Sequence, residues 1–186
     1  MSSSSFFVAA VINGFSRGFD CFHSMSMLIY VETSIPSFYF ETRREVEMQA
    51  RRNWTRLWWN LAKPGVNLVT GFPVLAELGL APSPKREQTL QLLSDLEVLP
   101  PDEEVDEIVA VYLAHKLMPL EALGDAHHLA LAAYHHCDML VTWNCKHIAN
   151  ANKLPHIRRV NALLGLETPA LVTPLELLEK DHENET

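Results

Sequence analysis

Four polar residues stand where a buried fold has little use for them: Glu32, Glu77, Asp125 and Asn144. Glu32 follows the apolar run Met27-Leu28-Ile29-Tyr30-Val31, and Glu77 sits among Val74, Leu75 and Leu78. Asp125 follows Gly124 at the start of a small-residue helix, and Asn144 follows the run Met139-Leu140-Val141-Thr142-Trp143. Carboxylates crowded into a low-dielectric cleft repel one another, and one of them takes up a proton. A divalent cation removes that conflict. Oxygen donors from carboxylates and amides suit Mg²⁺ or Mn²⁺. Such an ion activates water and neutralises charge building on a phosphodiester. If the four groups converge, the chemistry they define is metal-assisted phosphodiester hydrolysis.

Each residue also has a plainer reading. An Asp in a first helical turn is favoured by the dipole and the free N–H groups, so Asp125 also reads as a cap. Glu77 reads equally as a solvated helix acid. Glu32 is harder to dismiss. An acid at the carboxyl end of a central strand costs stability unless something there needs the charge, and open α/β sheets bind their ligands at that end.

The elements that position these residues alternate along the chain. Short apolar runs predict strands at 27–31, 66–70, 96–99, 138–142 and 171–173. Helical patterns cover 37–62, 73–79, 85–93, 102–117, the stretch after Asp125, 153–164 and 174–180. Strand–helix alternation implies an α/β fold: a three-layer α/β/α sandwich around a mostly parallel sheet. In the 37–62 helix, Val46, Ala50, Trp54, Leu57, Trp58 and Leu61 share a face that should pack on the sheet. Met48, Arg52 and Trp59, with Arg44 and Thr55 beside them, form a second strip. That strip is either a partner surface or a second side covered within the domain.

Composition sets bounds. The 186 residues suit one domain, and a formal net charge of −8 argues against gripping nucleic acid by bulk charge. A local basic patch remains available at Arg43, Arg44, Arg51, Arg52, Arg158 and Arg159. Cys21, Cys137 and Cys145 are too few for a disulfide framework, and Cys137 and Cys145 read as core thiols in a reducing cytosol. His127, His128, His135, His136 and His147 lack zinc-ligand spacing. His128, one turn after Asp125, either orients that carboxylate or packs against the sheet. No apolar run reaches membrane-span length. Residues 1–26 stand apart: a serine run precedes an apolar patch that lacks the positive charge of a signal peptide. They read as a disordered extension or an upstream mis-start, with Met25 or Met27 as the native start. The domain runs over 27–180, and 181–186 form a tail.

Taken together, four blocks resemble PIN-domain nucleases, and within them the VapC-like toxins of toxin–antitoxin pairs. The blocks are Tyr30-Val31-Glu32-Thr33-Ser34-Ile35, Val74-Leu75-Ala76-Glu77, Gly124-Asp125-Ala126-His127-His128-Leu129-Ala130, and the run from Leu140 through Trp143-Asn144-Cys145 to Asn150. The Glu-Thr-Ser and Trp-Asn-Cys pattern is similar to one PIN subgroup. The resemblance implies a PIN-like sandwich and a cytoplasmic Mg²⁺- or Mn²⁺-dependent endoribonuclease. It makes Glu32, Glu77 and Asp125 the metal-holding acids. Asn144 takes the place of a fourth acid, and Thr142 or Thr33 hydrogen-bonds nearby. Two departures stand out: Glu32 replaces the usual Asp, and Asn144 lacks a charge, so the three acids suit one Mg²⁺ ion. The implied partners are RNA and a cognate antitoxin covering the cleft, and the Met48–Trp59 strip, if it is a partner surface, serves that contact or a homodimer. The alternative is a degenerate PIN fold that binds RNA or protein without catalysis.

Overall fold

The computed structural model describes residues 27–62 and 64–179. The extension 1–26 with its Cys21, Lys63, Lys180 and the tail lie outside the described residues.

The chain opens with β1 (Leu28–Val31), α1 (Ser34–Tyr39) and α2 (Val46–Ala62), then β2 (Asn67–Gly71) and α3 (Phe72–Gly79). Next come α4 (Lys85–Leu93), β3 (Glu97–Leu99) and α5 (Glu103–Ala114). A short 3₁₀ turn (Leu120–Ala122) leads into α6 (Leu123–Tyr134). β4 (Met139–Val141), α7 (Leu154–Leu163), β5 (Ala170–Val172) and α8 (Pro174–Glu179) complete the described part. Among the described residues no helix is long and apolar enough to cross a membrane.

The five strands form one parallel sheet in the order β3-β2-β1-β4-β5, flanked by helices. The α/β sandwich expected from the alternation is the fold. β1 is central, with Ile29, Tyr30 and Val31 buried, and β4 beside it buries Leu140 and Val141. Strands covered on both faces need continuous apolar runs, which is why these two were readable. From β1 the chain builds outward through β2 to β3, then returns to the other side of β1 for β4 and β5. The order therefore reverses between β1 and β4. At such a switch point the two connections leave in opposite directions and open a crevice at the carboxyl ends of the strands. Glu32 follows β1 and Thr142 follows β4 at that crevice.

The helix expected over 37–62 is two helices. α1 begins earlier, at Ser34, and ends at Tyr39, and α2 begins at Val46. Glu41, only 6% exposed, sits in the break, where its carboxylate accepts the N–H groups of Thr42 at 2.9 Å and Arg43 at 3.0 Å. A side chain that satisfies backbone donors in this way competes with helix continuation.

The buried face of α2 also differs from the expected one. Val46 is 85% exposed and Leu57 is 51% exposed, whereas Thr55, Trp58, Trp59 and Ala62 are buried. α2 packs against α1 and α8, and Trp59 meets Tyr39 edge-on. Trp59 and Thr55 are thus covered within the domain. Thr55 is held there by a bond its sequence position could not announce: its hydroxyl accepts the Trp143 indole N–H at 2.7 Å. Cys137 is buried as expected, but Cys145 is exposed, because it lies in the loop beyond β4 rather than in the core.

Candidate active site

Glu32 lies at the carboxyl end of β1 with 5% of its surface exposed. Its backbone N–H donates to the Val141 carbonyl at 3.2 Å, which extends the β1–β4 ladder by one residue. Its carboxylate is fixed from both strands. Oε2 accepts the Ser34 N–H at 3.0 Å, the Ser34 hydroxyl, and the Thr142 hydroxyl at 2.7 Å. The Thr142 bond spans the switch point. Ser34 Oγ in turn accepts the Trp143 N–H at 2.7 Å, and Thr142 Oγ1 accepts the Asn144 N–H at 2.8 Å. Every donor thus falls on one oxygen, and among the described residues Oε1 carries no hydrogen bond.

Glu77 comes from α3, where Pro73 stands in the first turn after the β2 end. Its side chain is 40% exposed, and its Oε1 lies 3.3 Å from His128 Nε2. His128, on α6, is 1% exposed. Its Nδ1 lies 3.0 Å from the buried Tyr30 hydroxyl and its Nε2 lies 3.4 Å from Thr33 Oγ1. Ligand-capable atoms of Glu32, Glu77 and His128 all fall within 4.8 Å of one another.

Glu77 and His128 favour each other's charged forms. Burial opposes a charged His128, but the Glu77 hydrogen bond and the charges of Glu32, Glu77 and Asp125 prevail and raise its pKa. Burial likewise opposes a charged Glu77, and the hydrogen bond and charge of His128, with Thr33 and His127 behind them, hold its pKa down. Burial raises the Tyr30 pKa well above its ordinary value, with Glu32 adding to the effect, so the phenol stays neutral.

Asp125 is the third residue of α6, whose N-cap is Ala122 and carries no side-chain cap bond. The helix starts two residues before the acid, so Asp125 is not its cap. No hydrogen bond or ion pair holds the Asp125 carboxylate among the described residues. It lines a cavity of about 500 Å³ together with Glu77, Gly124, Glu121, Lys146 and His147. Gly124 is small for a reason at this point: a Cβ there would run into Glu77 Oε1.

Asn144 plays a different part. Its N–H is held by Thr142, and its Oδ1 accepts the His147 N–H at 3.0 Å, closing the turn after β4. Of the four expected residues, the structure brings Glu32 and Glu77 within ligand distance and sets Asp125 on the shared cavity. The Asn144 oxygen faces its own loop. His128 is buried, as the sheet-packing reading has it, and it joins the acids through Glu77 rather than through Asp125, the other role the helical spacing offered. The signal for His128 was a polar ring among the small apolar residues of α6, but only the fold says which carboxylate it meets. Two arginines of the clusters before and on α2 are already paired. Arg43 pairs with Glu41, and Arg51 pairs with Glu47 and lies 5.3 Å from the Trp143 ring centroid. The cations on the cavity are Lys146 and, when protonated, His147.

The PIN domain family model matches residues 29–152, and the chain belongs to the PIN-domain family. A comparison with curated proteins finds no match. Among solved structures, the chain is similar to VapBC2 from Rickettsia felis, bound to a DNA fragment from their promoter. The identity is 18% and the TM-score 0.52, over 79% of this chain and 98% of that one. At that identity the likeness speaks to the fold.

Proposed function

We propose that the chain is a divalent-metal-dependent ribonuclease of the VapC toxin type that hydrolyses RNA phosphodiester bonds. The observation that carries the reading is the approach of Glu32 and Glu77 at the switch point of a PIN fold, with an unbonded Asp125 on the same cavity.

The donors fit Mg²⁺ or Mn²⁺. They are carboxylate oxygens, Glu32 keeps Oε1 free of other bonds, and Glu77 is open to solvent. Glu32, Glu77 and Asp125 would hold the ion, and the ion supplies activation of water and charge neutralisation at the phosphate. The chain's own residues do the rest. Ser34 and Thr142 orient Glu32. His128, anchored by Tyr30, orients Glu77. Asn144 holds the loop that carries Lys146 and His147. A cognate antitoxin seated over the cavity and a homodimer belong to the same reading, the antitoxin in line with the two-component VapBC2 of the structural relative.

One observation favours the second reading, a PIN module that binds without cutting. Asn144 contributes no charge, and its oxygen is committed to His147. The two readings separate in one experiment. Purified protein is assayed on single-stranded and structured RNA with Mg²⁺, with Mn²⁺ and with EDTA, beside Asp125→Asn. Thermal unfolding is followed with and without Mn²⁺. Metal-dependent cleavage that Asp125→Asn abolishes is the expected result. RNA binding without cleavage, and without a Mn²⁺ shift in the melting temperature, would establish the binding module.

A further inference from the structure

We infer that Lys146 and His147 form a phosphate-holding wall of the cavity, and that Lys153 fixes which proton His147 offers to it. The inference rests on the ribonuclease reading above and identifies the groups that grip the substrate backbone.

The loop after β4 puts both residues on the cavity that the acids Glu77, Glu121 and Asp125 also line. The loop is held in place by the Asn144 side chain, which accepts the His147 N–H at 3.0 Å. Lys146 is exposed, and no carboxylate pairs with its ammonium among the described residues. Lys153 is different. Its ammonium donates to the Leu117 carbonyl at 3.1 Å and lies 3.3 Å from His147 Nδ1. An ammonium has protons to give and no lone pair to accept with, so Nδ1 must be the acceptor. The neutral ring then carries its proton on Nε2, where it is a donor. Burial and the Lys153 charge lower the His147 pKa, which agrees with a neutral ring.

The wall therefore offers a phosphate one full positive charge and one neutral N–H. The acids that share the cavity, Glu77, Glu121 and Asp125, repel a phosphate, so an anion there is held by Lys146 and His147. Lys153 is a positioning residue. It acts through His147 and ties the loop to the chain segment after α5.

The two contacts have different salt signatures, and that makes them separable. Binding of a short fluorescein-labelled single-stranded RNA of mixed sequence is measured by anisotropy over a salt series. The full chain is used in an Asp125→Asn background, where cleavage does not intervene. Lys146→Ala is expected to weaken binding and to make the salt slope shallower by about 0.7, the value for one single-strand phosphate contact. His147→Ala and His147→Gln are expected to separate from each other. The alanine loses roughly tenfold in affinity with the slope unchanged, because a neutral donor releases no counterion, and the glutamine, which keeps an N–H, recovers part of the loss. Lys153→Met should lower affinity less than His147→Ala, and Lys153→Arg should restore it. Unchanged affinity and slope in both Lys146→Ala and His147→Ala, with a wild type that binds, would overturn the inference and leave the ribonuclease reading standing. A wild type that neither binds nor cuts RNA would overturn both.

Discussion

His128 Nε2 lies 3.3 Å from Glu77 Oε1, with the imidazole buried and the carboxylate half open to solvent. The bond joins α6 to α3 across the site, and Tyr30 on the central strand backs it from below at 3.0 Å. The pair has a defined pH signature in metal-free protein. The His128 pKa is raised above its ordinary 6.5, so its stabilising effect is complete below that value and is lost as pH rises through the folded pKa. The Glu77 pKa is lowered below its ordinary 4.5, so its effect is present above that value and is lost as pH falls through the folded pKa. Thermal unfolding in EDTA should show stability declining above pH 6.5, and Glu77→Gln should flatten that decline. A decline of the same size in Glu77→Gln would show that another group titrates there.

Gly124→Ala should separate folding from site geometry. The added methyl meets Glu77 Oε1, the far end of a flexible side chain. The carboxylate can move, and alanine is the better helix residue, so stability should change by less than about 1 kcal/mol. The displaced Glu77 should reduce the Mn²⁺-induced rise in melting temperature. A full rise in the variant would mean that Glu77 does not contribute to metal binding.

Glu41 gives a prediction away from the site. The Arg43 side chain bonds its carboxylate and, with two backbone N–H groups, draws its pKa down to about 2. The stabilisation is therefore present above the unfolded value of 4.5 and is lost as pH falls toward 2. Arg43 is largely exposed, so water screens part of the interaction. Glu41→Gln should cost on the order of 1–2 kcal/mol at neutral pH, measured by urea unfolding. The difference from wild type should shrink as the pH approaches 2.

Tyr112 and Asn161 test the packing of α5 against α7. The buried Tyr112 hydroxyl donates to Asn161 Oδ1 at 2.6 Å, and Asn161 Nδ2 donates to Thr168 at 2.9 Å. Tyr112→Phe leaves the buried amide oxygen without its donor and should cost roughly 1–3 kcal/mol. Tyr112→Phe combined with Asn161→Leu should recover part of that loss, since removing both partners removes the unsatisfied group. Denaturant unfolding of the two variants and the double variant measures the coupling.

The sequence by itself determined the strands, their alternation with helices and the acids that follow them. Those features are local. A strand buried on both faces must be apolar throughout, and an acid directly after one stands out against it, as Glu32 does after Val31. Tertiary structure decided which of these groups meet. Glu77 and His128 are 51 positions apart on different helices, and no periodicity links them. The same holds for α2: its spacing offered one apolar face and a mixed Met48–Arg52–Trp59 strip, and the fold buries Trp58 of the first with Trp59 and Thr55 of the second, where Thr55 accepts the Trp143 indole N–H. The break at Glu41 and the turn of Asn144 toward His147 are bonds between a side chain and nearby backbone, favoured only once the surrounding fold has removed water as the competing partner.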